Sequence, residues 1–409
     1  MSKVDLSSDF CGVKFKNPVV IASATPSKNA EYMKKCVDSG AGGIIAKTVS
    51  PEPLLQKYVS PRFTVLQKDS WPKNYSNYSC EFLATYDVDS WMDEMKVAKE
   101  HCEKEDVKLV GSISGTDMDS WSDMAKKMQD TGVDMLELNF GCPHPRDLGY
   151  KSGQVLGSSP DAAKEVAKLV ADSVDIPVII KLTPDGVNPV DVAQKVKEAG
   201  ADAVTAINRF TALEIDIDSG RPLLHGTYAG VNGPWMRPIT LRWIAKIAQD
   251  VGIPISATNG IKTWKDMVKC IMVGASNVQT CTALMYGKKQ FGHVQEFIEG
   301  IENFMVEKGY ASIDEMKGIT LPQIMKWDDV DRDSRSYAYV NKEDCIGCGM
   351  CPSWCFYDAI TVDKDEESGK KKADVDQNKC DGCGLCVSLC PQNAMYMEGE
   401  APVYLGDFE

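Results

Sequence analysis

The spacing C-x2-C-x2-C-x3-C is written twice near the end of the chain, first as Cys345, Cys348, Cys351 and Cys355, then as Cys380, Cys383, Cys386 and Cys390, with Pro391 directly after the second copy. No other feature limits the fold so tightly. Eight of the 15 cysteines fall in this one segment at short regular intervals, which suits metal ligation better than a disulfide framework. Two-residue gaps let three thiolates close around one corner set of an iron–sulfur cube, while the fourth cysteine, displaced by a further turn, reaches across to the other cube. On that logic Cys345, Cys348, Cys351 and Cys390 hold one [4Fe-4S] cluster, and Cys380, Cys383, Cys386 and Cys355 hold a second. Electron storage is the chemistry such a pair implies.

Gly347, Gly349, Gly382 and Gly384 lie between the ligands, where a missing side chain lets backbone amides approach the sulfurs. A pair of structural zinc sites is the competing reading, because C-x2-C pairs also bind zinc, but zinc motifs rarely repeat four cysteines in this pattern before a proline. The first copy differs from the second in having Phe356 where the second has Pro391. Between the copies, the charged run Asp363 to Lys372 reads as a solvated hairpin tip. Residues 331–409 are expected to form an α+β module of the bacterial ferredoxin type.

Residues 1–330 carry a different rhythm. Short β-rich apolar runs alternate with stretches of helical period, the pattern of a parallel sheet built from strand–helix units. The runs are Val19 to Ser23, Gly43 to Val49, Leu109 to Ser114, Met135 to Phe140, Pro177 to Thr183, Ala203 to Asn208, Pro254 to Gly260 and Asn277 to Ala283. Eight units predict an α/β fold closed into a (β/α)8 barrel. Ser159 and Pro160 supply a cap and a first-turn proline for a helix whose inner face is Val166, Leu169 and Val170. Val294, Phe297, Ile298, Ile301 and Met305 form a second apolar stripe and read as core. Two long insertions, about Ser50 to Lys108 and Arg209 to Pro238, interrupt the rhythm after the second and sixth strands.

At 409 residues and 43% hydrophobic content, the chain can bury the cores of one large and one small domain. Its formal net charge of -14 repels phosphate backbones and argues against a nucleic-acid partner. The opening residues show no basic-then-apolar leader, and no run approaches the roughly 20 apolar residues of a membrane span. The expected location is the cytoplasm, with no membrane partner. With 4 histidines and no clustered pair, a mononuclear metal site has no support.

In a barrel of this kind the carboxyl ends of the strands face the active site. The residues there are more polar than a structural rim requires: Ser23, Lys47, Thr48, Asn139, Cys142, Lys181, Asn208, Arg209, Asn259, Gly260, Gln279 and Thr282. Three segments, Leu138-Asn139-Phe140-Gly141-Cys142-Pro143-His144, Ile180-Lys181-Leu182-Thr183-Pro184 and Ala257-Thr258-Asn259-Gly260-Ile261, resemble the dihydroorotate and dihydropyrimidine dehydrogenase family in order and spacing. The resemblance runs from about Leu6 to Gly309. With the ferredoxin-like module appended, the chain is most similar to the FMN and iron–sulfur part of dihydropyrimidine dehydrogenases, or to their bacterial small-chain equivalents.

The resemblance implies an FMN whose isoalloxazine is held by Lys47, Thr48, Asn139 and Lys181, with Ala22, Ser23 and Asn208 beside it. It seats the phosphate on backbone amides around Gly230, Asn259, Gly260, Cys281 and Thr282. The physics agrees: a lysine at the flavin pyrimidine edge stabilises the anionic reduced ring, and glycine-containing turns offer unobstructed amides. Cys142 matches the family's acid/base cysteine. With hydride moving between the flavin and one carbon of a double bond, a thiol on the opposite side delivers or removes the proton at the adjacent carbon. Asn77, Asn139 and Asn208 retain the amide side chains that the family points at its substrate. His144 reads either as a tuner of Cys142 or as a structural hydrogen-bonder, and Trp71 to Tyr78 either as a lid or as a surface loop.

Three positions depart from the family pattern. Ser79 stands where pyrimidine-reducing relatives carry glutamate, Gly141 where they carry serine, and Arg209 where they carry threonine. A guanidinium at the rim of the flavin site can pair bidentately with a carboxylate or phosphate, so an anionic substrate is expected; the alternative is that Arg209 turns outward to Glu214 or Asp216. The resulting expectation is an oxidoreductase that forms or reduces a C=C bond next to a carbonyl. No Gly-x-Gly-x-x-Gly follows a strand to open a helix, so electrons are expected from a ferredoxin or from a separate FAD- and NAD(P)-binding reductase subunit, in a homodimer or hetero-oligomer. The rival readings are an electron-transfer subunit with a non-catalytic barrel, and a tRNA dihydrouridine synthase, which needs a basic RNA-binding surface that this acidic chain does not suggest.

Overall fold

The computed structural model describes residues 4–70, 73–142 and 153–399. The chain divides into two compact units, one ending at Gln323 and the other beginning at Ile324.

The first unit is built on eight parallel strands: β1 (Val19–Ile21), β2 (Gly43–Ile45), β3 (Lys108–Ile113), β4 (Met135–Asn139), β5 (Val178–Lys181), β6 (Ala203–Ala206), β7 (Ile255–Ala257) and β8 (Asn277–Thr280). Each pairs with the next, and β8 pairs with β1, so the sheet closes into a barrel without an edge. Each of the eight expected runs contains one strand, with β3 starting one residue early at Lys108, and the last residues of the runs leave the ladder to shape the loops. Alternation along the strands sorts the barrel interior into layers. The lower layer is apolar, with Val20, Ile45, Val110, Met135, Ile179 and Ala203 packed on Phe10 and Phe15. Those two rings come from an antiparallel hairpin, Ser8–Phe10 with Val13–Phe15, and meet edge to face. One pleat further along, the interior turns polar. Glu137 accepts from Thr205 at 2.8 Å, and Gln279 donates to Thr205 at 3.2 Å and to Ser256 at 2.9 Å.

Helices α1 (Ala30–Asp38), α2 (Val88–Lys104), α3 (Met118–Gln129), α4 (Pro160–Ala171), α5 (Pro189–Glu198), α6 (Arg237–Asp250), α7 (Trp264–Met272) and α8 (Gly292–Lys308) follow the strands in turn. Short polar side chains start several of them, as Asn29, Asp87 and Asp117 do by accepting from the amides of Tyr32, Ser90 and Ser120. The start of α4 is the expected one, with Ser159 accepting from the Ala162 amide and Pro160 in the first turn. Val166 and Val170 of that helix are buried, and Leu169 packs at the edge of the same core. Burial of each such side chain is worth about 1.5–3 kcal/mol. On α8, Val294, Phe297, Ile301 and Met305 are buried and Ile298 partly so. Close helix–strand contact sets one glycine: a Cβ on Gly111 of β3 would collide with Met128 of α3.

The two insertions join in one four-stranded antiparallel sheet, in the order Phe210–Ala212, Ala229–Asn232, Ser76–Ser79, Phe63–Leu66. Its register sets Asn77 opposite Asn232 and Ser79 opposite Gly230. The aromatic and polar stretch that ends at Tyr78 is therefore strand from Ser76 onward, and Trp71 lies outside the described residues. Among the described residues, no helix is long and apolar enough to cross a membrane.

The second unit is α+β. Ser336–Val340 pairs antiparallel with Met395–Gly399, and Ile360–Lys364 with Lys371–Val375, while Cys351–Trp354 and Leu385–Leu389 form short helices. The charged run between the cysteine repeats closes the second ribbon, where the Asp365 amide donates to the Lys370 carbonyl at 2.8 Å. None of the fifteen cysteines of the chain is in a disulfide.

Candidate active site and cluster sites

An open cavity lies at the carboxyl ends of the barrel strands. It gathers Ala22 and Ser23 from beyond β1, Lys47 and Thr48 from beyond β2, Asn139 and Cys142 at β4, Lys181 of β5, Asn208 and Arg209 beyond β6, Asn259 and Gly260 beyond β7, and Cys281 and Thr282 beyond β8. Asn77 reaches it from the insertion sheet. Of the expected site residues in the first unit, Gly230 alone is not in the lining. It sits in the sheet opposite Ser79 and Thr211, and the space a side chain would need there is filled by Arg209.

Hydrogen bonds tie the strand ends together. The Thr48 hydroxyl meets those of Ser23 at 3.1 Å and Ser112 at 2.8 Å, and it accepts from Asn139 Nδ2 at 3.0 Å. Asn139 Oδ1 in turn accepts from the Gly141 amide at 3.1 Å, which fixes the loop that carries Cys142. Asn208 Nδ2 donates to the Gly141 carbonyl, and Asn259 Nδ2 donates to the Asn208 carbonyl at 3.1 Å. A Cβ on Gly141 would overlap the Asn208 side chain, so that amide fills the space beside the glycine. Asn77 donates to Asn232 Oδ1 at 2.7 Å and accepts from the Tyr286 hydroxyl at 2.5 Å. Cys142 is 5% exposed and packs with Leu55, Phe82 and Leu83 in a small apolar cluster. His144 lies outside the described residues.

Charge in the cavity is unevenly compensated. Lys47 Nζ is 2.8 Å from Glu81 Oε1, and both side chains are almost fully buried. Burial alone would push the Glu81 carboxyl up, but the charges of Lys47 and Arg209 and hydrogen bonds from Lys47 and Thr25 hold it down at about 2. Lys181 Nζ stands 3.8 Å from Glu137 Oε1, beyond hydrogen-bond length. Arg209 is held by neutral acceptors: Nη1 donates to the Ser79 carbonyl at 3.3 Å and to the Ser79 hydroxyl, and Nη2 donates to the Glu81 carbonyl at 3.0 Å. Its side chain thus turns toward the cavity and not outward to Glu214 or Asp216. Cys281, half-buried in the cavity wall, is pushed up to about 12 by desolvation and by the Glu81 charge, so it remains a thiol.

In the second unit the eight repeat cysteines surround two separate spaces. Cys345, Cys348, Cys351 and Cys390 line one, and Cys355, Cys380, Cys383 and Cys386 line the other. Each fourth cysteine therefore stands with the other repeat's trio. Among the described residues, no three His, Cys, Asp or Glu side chains are gathered as a single metal ion would gather them; the thiols enclose a volume rather than a point. Amides already face the sulfurs, with Ala373, Ala359 and Ala394 donating to Cys345, Cys355 and Cys390 at 3.4, 3.3 and 3.3 Å. The two repeats also match in backbone. Gly347 and Gly382 have φ of +65° and +77°, and a Cβ on either would strike a carbonyl, that of Lys371 or that of Ser336. Burial and the neighbouring thiols push Cys386 up to about 11, a cost that a cationic cluster bound there would remove.

Sequence reasoning missed Glu81, Phe82, Asn232 and Met285, all in the cavity wall. For Glu81 a signal existed: Asn77, Ser79 and Glu81 recur at the period of two that lines one face of an extended segment. Asn232 carries no such mark, because its place beside Asn77 depends on the pairing of two distant insertions.

Comparison with known proteins agrees with this arrangement. The dihydroorotate dehydrogenase family model matches residues 5–305, and a 4Fe-4S dicluster domain model matches residues 338–397. The NAD-dependent dihydropyrimidine dehydrogenase subunit PreA of Escherichia coli is 31% identical over 363 residues, covering 86% of this chain and 85% of that one. The catalytic subunit of dihydroorotate dehydrogenase B (NAD(+)) of Pyrococcus abyssi is 33% identical, covering 77% of this chain and 99% of that one. A crystal structure of DHODH from Eimeria tenella in complex with ferulenol superposes with a TM-score of 0.65 at 19% identity, over 77% of this chain and 88% of that one, and so shares the fold. The chain belongs to the dihydroorotate dehydrogenase family of flavin-dependent oxidoreductases and carries a 4Fe-4S dicluster domain.

Proposed function

We propose that this chain is the FMN-binding, iron–sulfur-bearing catalytic component of an oxidoreductase of the dihydropyrimidine dehydrogenase type, which forms or reduces a C=C bond beside a carbonyl in a substrate that carries an anionic group. The observation that carries this reading is the convergence of Lys47, Lys181, Cys142 and Arg209 on one cavity.

The residues present fit an FMN. Asn259 and Gly260 are consecutive left-handed residues, with φ of 83° and 77°, a turn whose amides suit a phosphate. Gly260 abuts the backbone of Arg237 so closely that no side chain fits, and Asn259 Oδ1 is buried without a partner among the described residues. Lys47, Thr48, Asn139 and Lys181 would hold the ring, with Ala22, Ser23 and Asn208 beside it, and Asn259, Gly260, Cys281 and Thr282 the phosphate. When bound, FMN supplies hydride transfer at N5. Cys142 Sγ holds or releases the proton at the neighbouring carbon. Leu55, Phe82 and Leu83 keep water from that thiol, Arg209 binds the anionic group, and Asn77, Asn139 and Asn208 orient the remaining polar edge.

The eight cysteines of the second unit would hold two [4Fe-4S] clusters, which when bound would supply one-electron storage and transfer. This chain offers no dinucleotide-binding motif, whereas the similar Escherichia coli protein is by name both NAD-dependent and a subunit. A separate FAD- and NAD(P)-binding subunit is therefore the favoured electron partner and a ferredoxin the other, within a homodimer or hetero-oligomer. Anaerobic purification with iron, sulfide and flavin analysis tests the cofactor set. Mixing the reduced protein with pyrimidines and with anionic enones then tests the substrate class. Protein that holds its iron but no flavin, or reduced flavin that no such compound reoxidises, would overturn the proposal.

A further inference from the structure

Of the four charged residues lining the cavity, Lys47, Glu81, Lys181 and Arg209, only Glu81 has no part in the reading above. Its carboxylate lies 2.8 Å from Lys47 Nζ and accepts from Thr25 Oγ1 at 2.5 Å. Its own backbone carbonyl accepts from Arg209 Nη2 at 3.0 Å. One residue thus fixes both the lysine proposed for the flavin and the arginine proposed for the substrate. The side chains of Lys47 and Glu81 are only 4% and 12% exposed, so water does little to weaken their attraction.

The second lysine is placed differently. Lys181 stands 3.8 Å from Glu137, and Glu137 Oε1 is buried without a hydrogen-bond partner among the described residues. Lys47 therefore has its charge offset in direct contact, and Lys181 only at longer range. We infer that Glu81 is a positioning residue that clamps Lys47 into the cavity wall and offsets its charge, leaving Lys181 as the principal cation available to the anionic reduced flavin. The inference rests on the FMN reading above. The charges of Lys47 and Arg209 hold the Glu81 carboxyl well below the usual carboxylate range, so the offset is present at neutral pH.

The consequence is a flavin less easily reduced than two uncompensated lysines would make it. Glu81→Gln in the anaerobic holoenzyme is expected to favour the reduced flavin about tenfold, which for a two-electron couple is a shift of about 30 mV to more positive potential. Glu81→Asp keeps the charge but withdraws it by one methylene, and is expected to shift the potential in the same direction by less. The measurement is a redox titration of the bound flavin, with oxidised and reduced FMN affinities determined separately. A merely structural role lowers both affinities together and leaves the potential in place. Unchanged potential in Glu81→Gln, or in Glu81→Asp if the first variant does not fold, overturns the inference while the FMN reading stands. Wild-type protein that binds no FMN overturns both.

Discussion

Arg209 Nη1 donates to both the carbonyl and the hydroxyl of Ser79, a residue 130 positions earlier in the chain. These are two of the three positions where the sequence is expected to depart from pyrimidine-reducing relatives, and the contact makes them one feature. A glutamate at position 79 would meet the guanidinium as an ion pair and cancel its charge. Serine holds it by neutral acceptors instead, so that among the described residues Arg209 forms no direct ion pair, its charge acting on the Glu81 carboxylate only at longer range.

Both Arg209→Ala and Ser79→Glu should therefore weaken an anionic substrate. A charge-assisted hydrogen bond is worth about 1.5–3 kcal/mol, so KM is expected to rise roughly tenfold to a hundredfold in either variant. Neutral pyrimidines should be affected far less. Steady-state KM values for charged and neutral candidates decide the point, and equal effects on both classes would refute a substrate anion at Arg209.

Replacing Cys142 by serine leaves the cavity shape nearly intact but raises the pKa of the proton donor well above that of a thiol. The chemical step is expected to slow by about 10²–10⁴-fold. Flavin binding and reduction by an external electron donor should persist, because serine is close to cysteine in size and the side chain packs in the apolar cluster of Leu55, Phe82 and Leu83. Stopped-flow mixing of reduced protein with substrate separates the steps. A variant as fast as wild type would show that the proton travels elsewhere.

Local signals were enough to read the barrel and the cluster motifs. Eight apolar runs at strand length gave eight strands, and Ser159-Pro160 capped α4 where expected, because period and capping act within a few residues. The site residues that sit at strand ends were legible for the same reason, since the barrel fixes which way those ends face. What escaped depends on contacts between distant segments. Glu81 becomes a cavity residue only because the first insertion folds back over Lys47, and Gly230 leaves the lining because the second insertion pairs it with Ser79 and sets Arg209 across it. Pairing of that kind leaves no periodic trace in either segment.

The crosswise placement of the fourth cysteines gives a sharp result. Cys390 lines the same space as Cys345, Cys348 and Cys351, although it follows Cys386 by only four residues. Cys390→Ser should therefore disturb the cluster of the first repeat and Cys355→Ser that of the second. Each variant is expected to lose about half of its iron, and anaerobic electron paramagnetic resonance of the two should show complementary spectra. Loss of the second repeat's cluster on mutating Cys390 would mean that the repeats ligate independently.

The Lys47–Glu81 contact also fixes a dependence on pH. The Glu81 carboxyl lies at about 2 in the folded protein, against an ordinary value of 4.5, so on acidification the unfolded chain takes up this proton first. The stability the pair provides is complete above about pH 4.5 and is lost as the pH falls through about 2. A depression of this size corresponds to roughly 3 kcal/mol, and the 12% exposure of the Glu81 side chain leaves little screening to reduce it. Glu81→Gln should be less stable than wild type near neutrality, and the gap should close as the pH is lowered, because only the wild type has this contribution to lose. Denaturant unfolding of both proteins from about pH 6 downward measures the gap, with cluster release acting alike on each. Two curves that fall in parallel through the acid range would mean that Glu81 is not held ionised by Lys47.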